Sequence, residues 1–131
     1  MRFIPTLIFA LFASIASAQD RDIQAVISNQ IDAFKADDLT TAFDYASPKI
    51  QRLFRSPEIF GQMVQRGYPM VWRPADLAFL DQSDVETSVI QRIEVRDQRG
   101  RRHLLDYLMI STAEGWRIDG VALVPPLDTG V

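Results

Sequence analysis

The sequence contains no cysteine and only one histidine, His103. The first absence removes disulfides, thiolate metal sites and a lipid-bearing cysteine. With the second it leaves a metal ion nothing but carboxylates, and these show no calcium-loop spacing, so neither a metal nor a cofactor is expected. The chain also has no basic run longer than Arg99-Gly100-Arg101-Arg102. Its 14 lysines and arginines face 17 acidic residues for a net charge of −3, a balance that argues against nucleic acid as a partner. The basic tetrad reads more simply as a solvated hairpin tip. Only one apolar run is long, Phe3 to Ile15, and it falls short of the roughly 20 residues that span a bilayer.

That run is preceded by Arg2 and followed by Ala16-Ser17-Ala18, the three-part pattern of a secretory signal peptide covering residues 1–18 with cleavage after Ala18. A periplasmic or secreted location is expected, with no membrane partner after cleavage. Residues 19–124 are long enough for one domain with a single core, and 125–131 read as a flexible tail.

From Asp20 to Lys35, Ile23, Val26, Ile27, Ile31 and Phe34 recur at the three-to-four spacing of an amphipathic helix. Asp37-Asp38 interrupts it and offers a cap for a second helix with Leu39, Ala42, Phe43 and Ala46 on one face. Ser47-Pro48 and Ser56-Pro57 follow within ten residues. Proline is tolerated in the first turn of a helix, a preceding serine caps that turn, and the residue before proline avoids helical geometry. Each Ser-Pro therefore predicts a bend and a new helical piece. One carries Ile50, Leu53 and Phe54 inward; the other carries Ile59, Phe60, Met63 and Val64 inward and ends near Gly67.

Beyond Pro74 the period changes from 3.6 to two. Val85, Thr87, Val89, Gln91, Ile93 and Val95 alternate with polar or outward positions, as in a half-buried strand. Asp97 to Gly100 predicts a turn, and pairing Asp97 with Arg101 sets Val95 opposite His103, Ile93 opposite Leu105, Gln91 opposite Tyr107 and Val89 opposite Met109. On the other face Arg92 meets Asp106. Another strand, Trp116 to Val124, follows a turn at Ala113 to Gly115, and a further one is expected between Tyr68 and Leu80, around Met70-Val71-Trp72 or Leu77 to Leu80.

Helices followed by an antiparallel meander predict an α+β fold, with N-terminal helices packed on a curved antiparallel sheet. In this order, and in the segments ISNQIDAFKADDLTTAFDYASPKIQRLF, FGQMVQRGYP and WRIDGVALV, the chain resembles the DUF4864 family within the nuclear transport factor 2-like (SnoaL-like, cystatin-like) superfamily. The resemblance implies a cone with a pocket between helices and sheet. It does not imply one activity, because that superfamily includes isomerases, dehydratases, hydrolases and association domains.

Candidate pocket residues are Gln30, Phe60, Met63, Tyr68, Trp72, Gln91 and Tyr107, a few directional polar groups among apolar walls. Asp106 and Asp119, with Tyr107, are the catalytic candidates: a carboxylate in an apolar strand suits acid/base work, yet each has an arginine near it, Arg92 and Arg117. His103 is expected to be an edge residue. Ile90, Leu104, Leu108, Ile110, Val121 and Leu123 are assigned to the outer sheet face, too apolar for water and hence a homodimer interface. The leading expectation is non-catalytic binding of a small apolar or amphipathic ligand or a protein partner. A cofactor-free lyase, isomerase or hydrolase is the alternative, and a dimerisation or scaffold module a second. Intact-mass measurement of protein exported by its host is expected to give a chain that begins at Gln19; one that retains the apolar run would refute cleavage.

Overall fold

Two Ser-Pro steps set the course of the helical half, which precedes the sheet throughout. The computed structural model describes residues 17–126, so all but the last two residues of the expected signal peptide and most of the expected tail lie outside the described residues. Helix α1 (Ala18–Lys35) starts with a capping box in which Ser17 and Asp20 exchange backbone-to-side-chain hydrogen bonds. Its apolar stripe, Ile23, Val26, Ile27, Ile31 and Phe34, is buried. Helix α2 (Leu39–Asp44) is capped by Asp38, whose carboxylate accepts from the Thr41 amide and hydroxyl and is held below its ordinary pKa by the hydroxyl bond first.

Helix α3 (Pro48–Phe54) and helix α4 (Pro57–Gly67) each begin with proline in the first turn. The preceding serine is extended, with ψ 161° at Ser47 and 153° at Ser56, and its hydroxyl accepts from the third amide of the turn. The bends fall where the sequence puts them. Gly61 lets α4 approach α2 closely, since a Cβ there would sit 2.7 Å from a Leu39 methyl.

Met70-Val71-Trp72, a candidate strand by sequence, instead lies in a short helix, α5 (Pro69–Trp72). Pro69 opens its turn, and the buried Met70 and Val71 hold it against the core. The first strand is the other candidate, within β1 (Asp76–Val85). The alternation read through Val85 and Thr87 breaks there. Glu86 adopts left-handed backbone at φ 57°, Val85 pairs back with Ser88, and Val85 is exposed. Glu86-Thr87 lacks the glycine or asparagine that marks most two-residue hairpin turns, which is why periodicity alone runs across it.

Strands β2 (Ser88–Arg96), β3 (Arg102–Thr112) and β4 (Gly115–Val124) complete a four-stranded antiparallel sheet in sequence order. The β2–β3 register is the expected one at every position, Val89 with Met109 through Val95 with His103, and Arg92 grips Asp106 with two bonds of 2.9 and 3.0 Å. Gly100, at φ 82°, closes the turn, and the Asp97 amide donates to the Arg101 carbonyl. The buried odd positions of β2 and β3 pack on α1 and α5 as one core.

Two bulges disturb the meander. One inserts a residue in β1 between Phe79 and Gln82; the other leaves Asp119 unpaired in β4, between Ile118 opposite Met109 and Gly120 opposite Leu108. The second corrects the assignment of Val121 and Leu123 to the outer face. An extra residue inverts the alternation, so both lie opposite inward positions, Tyr107 and Leu105. Ile90, Leu104, Leu108 and Ile110 keep the opposite parity and are half-buried.

The edge of β4 is closed by the α2–α3 joint. Ala46 bridges Ile118 in parallel, the Ser47 amide donates to the Ile118 carbonyl at 2.8 Å, and the Ile118 amide donates to the Tyr45 carbonyl at 2.9 Å. The buried Ser47 hydroxyl donates to Asp119 at 2.7 Å while capping α3. Ser47→Ala is expected to cost about 2–3 kcal/mol, losing a buried bond to a carboxylate along with a cap, whereas Ser56→Ala should cost about 1 kcal/mol or less. Urea unfolding monitored by circular dichroism checks the order; equal losses would contradict it.

Candidate functional site

Between the helices and the sheet lies a cavity of about 240 Å³. Gln30 and Phe34 of α1 form one wall, Ile50, Leu53 and Phe54 of α3 a second, and Phe60, Met63 and Val64 of α4 a third, with Tyr68 and Val71 beside them. Tyr107, Ile118, Gly120 and Val121 make the floor. The helical walls are tied together by Phe60, whose ring lies 5.9, 5.3 and 5.8 Å from those of Phe34, Phe43 and Phe54. The surface is thus largely hydrocarbon, interrupted by Gln30, Tyr68 and Tyr107.

These three differ in how their polar atoms are occupied. The Gln30 amide nitrogen donates to the Ala42 carbonyl at 3.1 Å, which fixes its orientation; its side-chain oxygen accepts no bond among the described residues. The Tyr68 hydroxyl donates to the Val121 carbonyl at 3.1 Å. The Tyr107 hydroxyl is buried and has no partner among the described residues. Burial pushes its pKa well above the ordinary tyrosine value, and the nearby Tyr68 adds to the rise. It therefore stays protonated, an unused donor on a residue that lines an apolar cavity.

Of the residues singled out from sequence, Gln30, Phe60, Met63, Tyr68 and Tyr107 line this space together. Gln91 and Trp72 do not. Gln91 is opposite Tyr107 and fully buried, but its amide donates to the Leu80 and Arg92 carbonyls and accepts from Gln82 at 2.6 Å, filling the β1 bulge. Trp72 packs behind Phe34 at 5.5 Å, with the Arg73 guanidinium 4.7 Å above its ring.

The carboxylates are also engaged elsewhere. Asp106 is held by Arg92 on the outer face, and the Arg92 pKa is raised chiefly by their hydrogen bond. Asp119, expected beside Arg117, instead accepts from Ser47 and Lys49, because the bulge turns it toward α3; Arg117 lies over Tyr45 at 5.8 Å. His103 bonds Asp97 at 2.8 Å inside the hairpin, and this contact is the largest cause of the lowered Asp97 pKa. Sequence reading missed Asp97 as its partner, although a turn aspartate six residues before a histidine was there to be seen. It also took Phe34, Ile50 and Phe54 as plain core and put Val121 outside. Among the described residues no cluster of three metal-ligating side chains occurs, and no helix is long and apolar enough to cross a membrane.

A family model described as "Domain of unknown function (DUF4864)" matches residues 16–131. No curated protein matches the chain. Among solved structures, a phospholipid-binding protein from Ralstonia solanacearum in complex with a phospholipid is similar over 82% of this chain and 78% of its own, at 16% identity and a TM-score of 0.50. Likeness at that identity is one of fold.

An unpaired buried hydroxyl is a liability in apolar surroundings. Tyr107→Phe is expected to leave stability unchanged or raise it by about 1–2 kcal/mol. Denaturant titration measures it, and a marked loss would mean the hydroxyl has a partner.

Proposed function

This chain belongs to the DUF4864 family, and we propose that it binds a small apolar or amphipathic ligand between its helices and sheet without transforming it. The observation that carries this reading is the apolar cavity lined in part by Tyr107, whose buried hydroxyl has no partner among the described residues. Such a site rewards a ligand that is mostly hydrocarbon and carries one acceptor. The Ralstonia protein of similar fold, in complex with a phospholipid, supports ligand binding.

Size narrows the class. A volume of about 240 Å³, beside the exposed Leu53, suits one alkyl chain better than the two chains of a phospholipid. The ligand is thus a single-chain alcohol, acid, ester or comparable amphiphile. Reading the fold as a nuclear transport factor 2-like cone fits this use, as does export to the periplasm or medium. Pairing of two copies through Ile90, Leu104, Leu108 and Ile110 belongs to the same proposal, as the outer face is independent of the cavity. The catalytic alternative finds no carboxylate among the cavity-lining residues.

Native mass spectrometry of protein purified from its own host is expected to show a retained small molecule. Calorimetry with decanol should show binding that Tyr107→Phe weakens roughly five- to tenfold, the worth of one hydrogen bond, while leaving an acceptor-free alkane unaffected. Val121→Trp, which fills the floor, should abolish both. A cavity that takes neither probe, or equal loss for alkane and alcohol in Tyr107→Phe, would refute the reading.

A further inference from the structure

The helix that walls the cavity carries a different chemistry on its outside. No residue of α3 is buried. Ile50, Leu53 and Phe54 line the cavity, yet Leu53 is 66% exposed, and Ile59 in the first turn of α4 is 51% exposed. Lys49, Arg52 and Leu53 have the spacing that puts them on one side of a helix. Arg55 follows at the end of α3 in left-handed backbone, φ 71°, and Arg66 lies in the last turn of α4.

The charge of this segment is opposite to that of the molecule. From Ser47 to Gly67 it has four basic residues and one acidic residue, Glu58, within a chain of net charge −3. Lys49 is bound to Asp119, but Arg52, Arg55 and Arg66 have no carboxylate partner among the described residues. Exposed aliphatic side chains set among unpaired arginines complement an anionic bilayer, which takes the apolar groups into its interface and the guanidinium groups against its headgroups.

The geometry points to the α3–α4 surface as a docking face for anionic lipid bilayers. Leu53 belongs to both the exposed surface and the cavity wall, so a chain leaving the bilayer there meets hydrocarbon without a break. A lipid surface fits this continuity better than an acidic protein, which would satisfy the arginines and have no use for the cavity. That no helix among the described residues could span a bilayer does not bear on surface contact, where the sequence led to an expectation of no membrane partner after signal cleavage. The proposal extends the ligand-binding reading, since the cavity would fill from the bilayer, but the contact is measured separately.

The test is co-sedimentation of the protein purified from its host with vesicles of equimolar phosphatidylglycerol and phosphatidylcholine, against phosphatidylcholine alone. Binding is expected to the anionic vesicles and to weaken with added salt. Arg52→Gln with Arg55→Gln should lower partitioning roughly tenfold or more, and Leu53→Ser several-fold. Arg99→Gln with Arg101→Gln, on the β2–β3 hairpin, should leave it near the starting value. Circular dichroism verifies that each variant is folded; if Leu53→Ser is not, the exposed arginine pair decides. Equal binding to neutral vesicles, no binding, or an equal loss in the hairpin variant overturns the proposal. So does a concentration-dependent dimer that Leu53→Ser dissociates, which would make a second copy the occupant. Decanol binding in vesicle-free solution reports on the cavity alone, so either reading can fail while the other stands.

Discussion

The fold turns on one hydroxyl. Ser47 is fully buried at the joint between α2 and α3, where its Oγ accepts from the Ile50 amide and donates to Asp119. One end of that contact starts a helix and the other holds the irregular residue of a sheet edge. Two backbone bonds between the joint and Ile118 lock the same junction. Since α3 has no buried residue of its own, this junction, more than side-chain burial, fixes the wall that α3 gives the cavity. A helix anchored at its start and lightly packed along its length is well suited to stand over a space without filling it.

Beneath it, two buried polar groups that face each other in register meet opposite fates. Gln91 has donors and acceptor all engaged, by Leu80 and Gln82 at the β1 bulge and by Arg92 of its own strand, and so serves as a rigid part of the sheet. Tyr107 has none. Spacing along the chain cannot distinguish them, because both are polar residues at inward positions of adjacent strands. The distinction comes from the neighbouring strand, where an irregularity presents a carbonyl to one and hydrocarbon surrounds the other.

What could be read from the sequence follows the same division. Helix starts at Pro48 and Pro57 were legible because proline and a capping serine act within one turn. The β2–β3 register was legible because a short turn and a strict alternation determine each other. The α5 turn, the Glu86-Thr87 reversal and the Asp119 bulge were not. Met70-Val71-Trp72 has the composition of a strand and becomes helical through its burial against α1. Glu86-Thr87 has no turn residue. The bulge depends on a serine 72 positions earlier. Five of the seven candidate pocket residues accordingly line the cavity, while Val121 and Trp72 were misplaced by events local to other elements.

The bulge at Asp119 also bears on how such a site is inherited. A β-strand reads its residues in pairs, so adding or removing one exchanges the two faces of everything beyond it. Here the floor of the cavity past Ile118 is set by the bulge in β4 as much as by the kind of residue. Were the strand regular with the same residues, Asp119 would pair with Leu108 and Gly120 with Tyr107, turning Val121 to the far side of the sheet with no substitution at all. Relatives that keep every aliphatic residue of this strand but pair it without the bulge would then enclose a different space, and ligand preference in such a lineage could shift through register before any side chain in the floor changes.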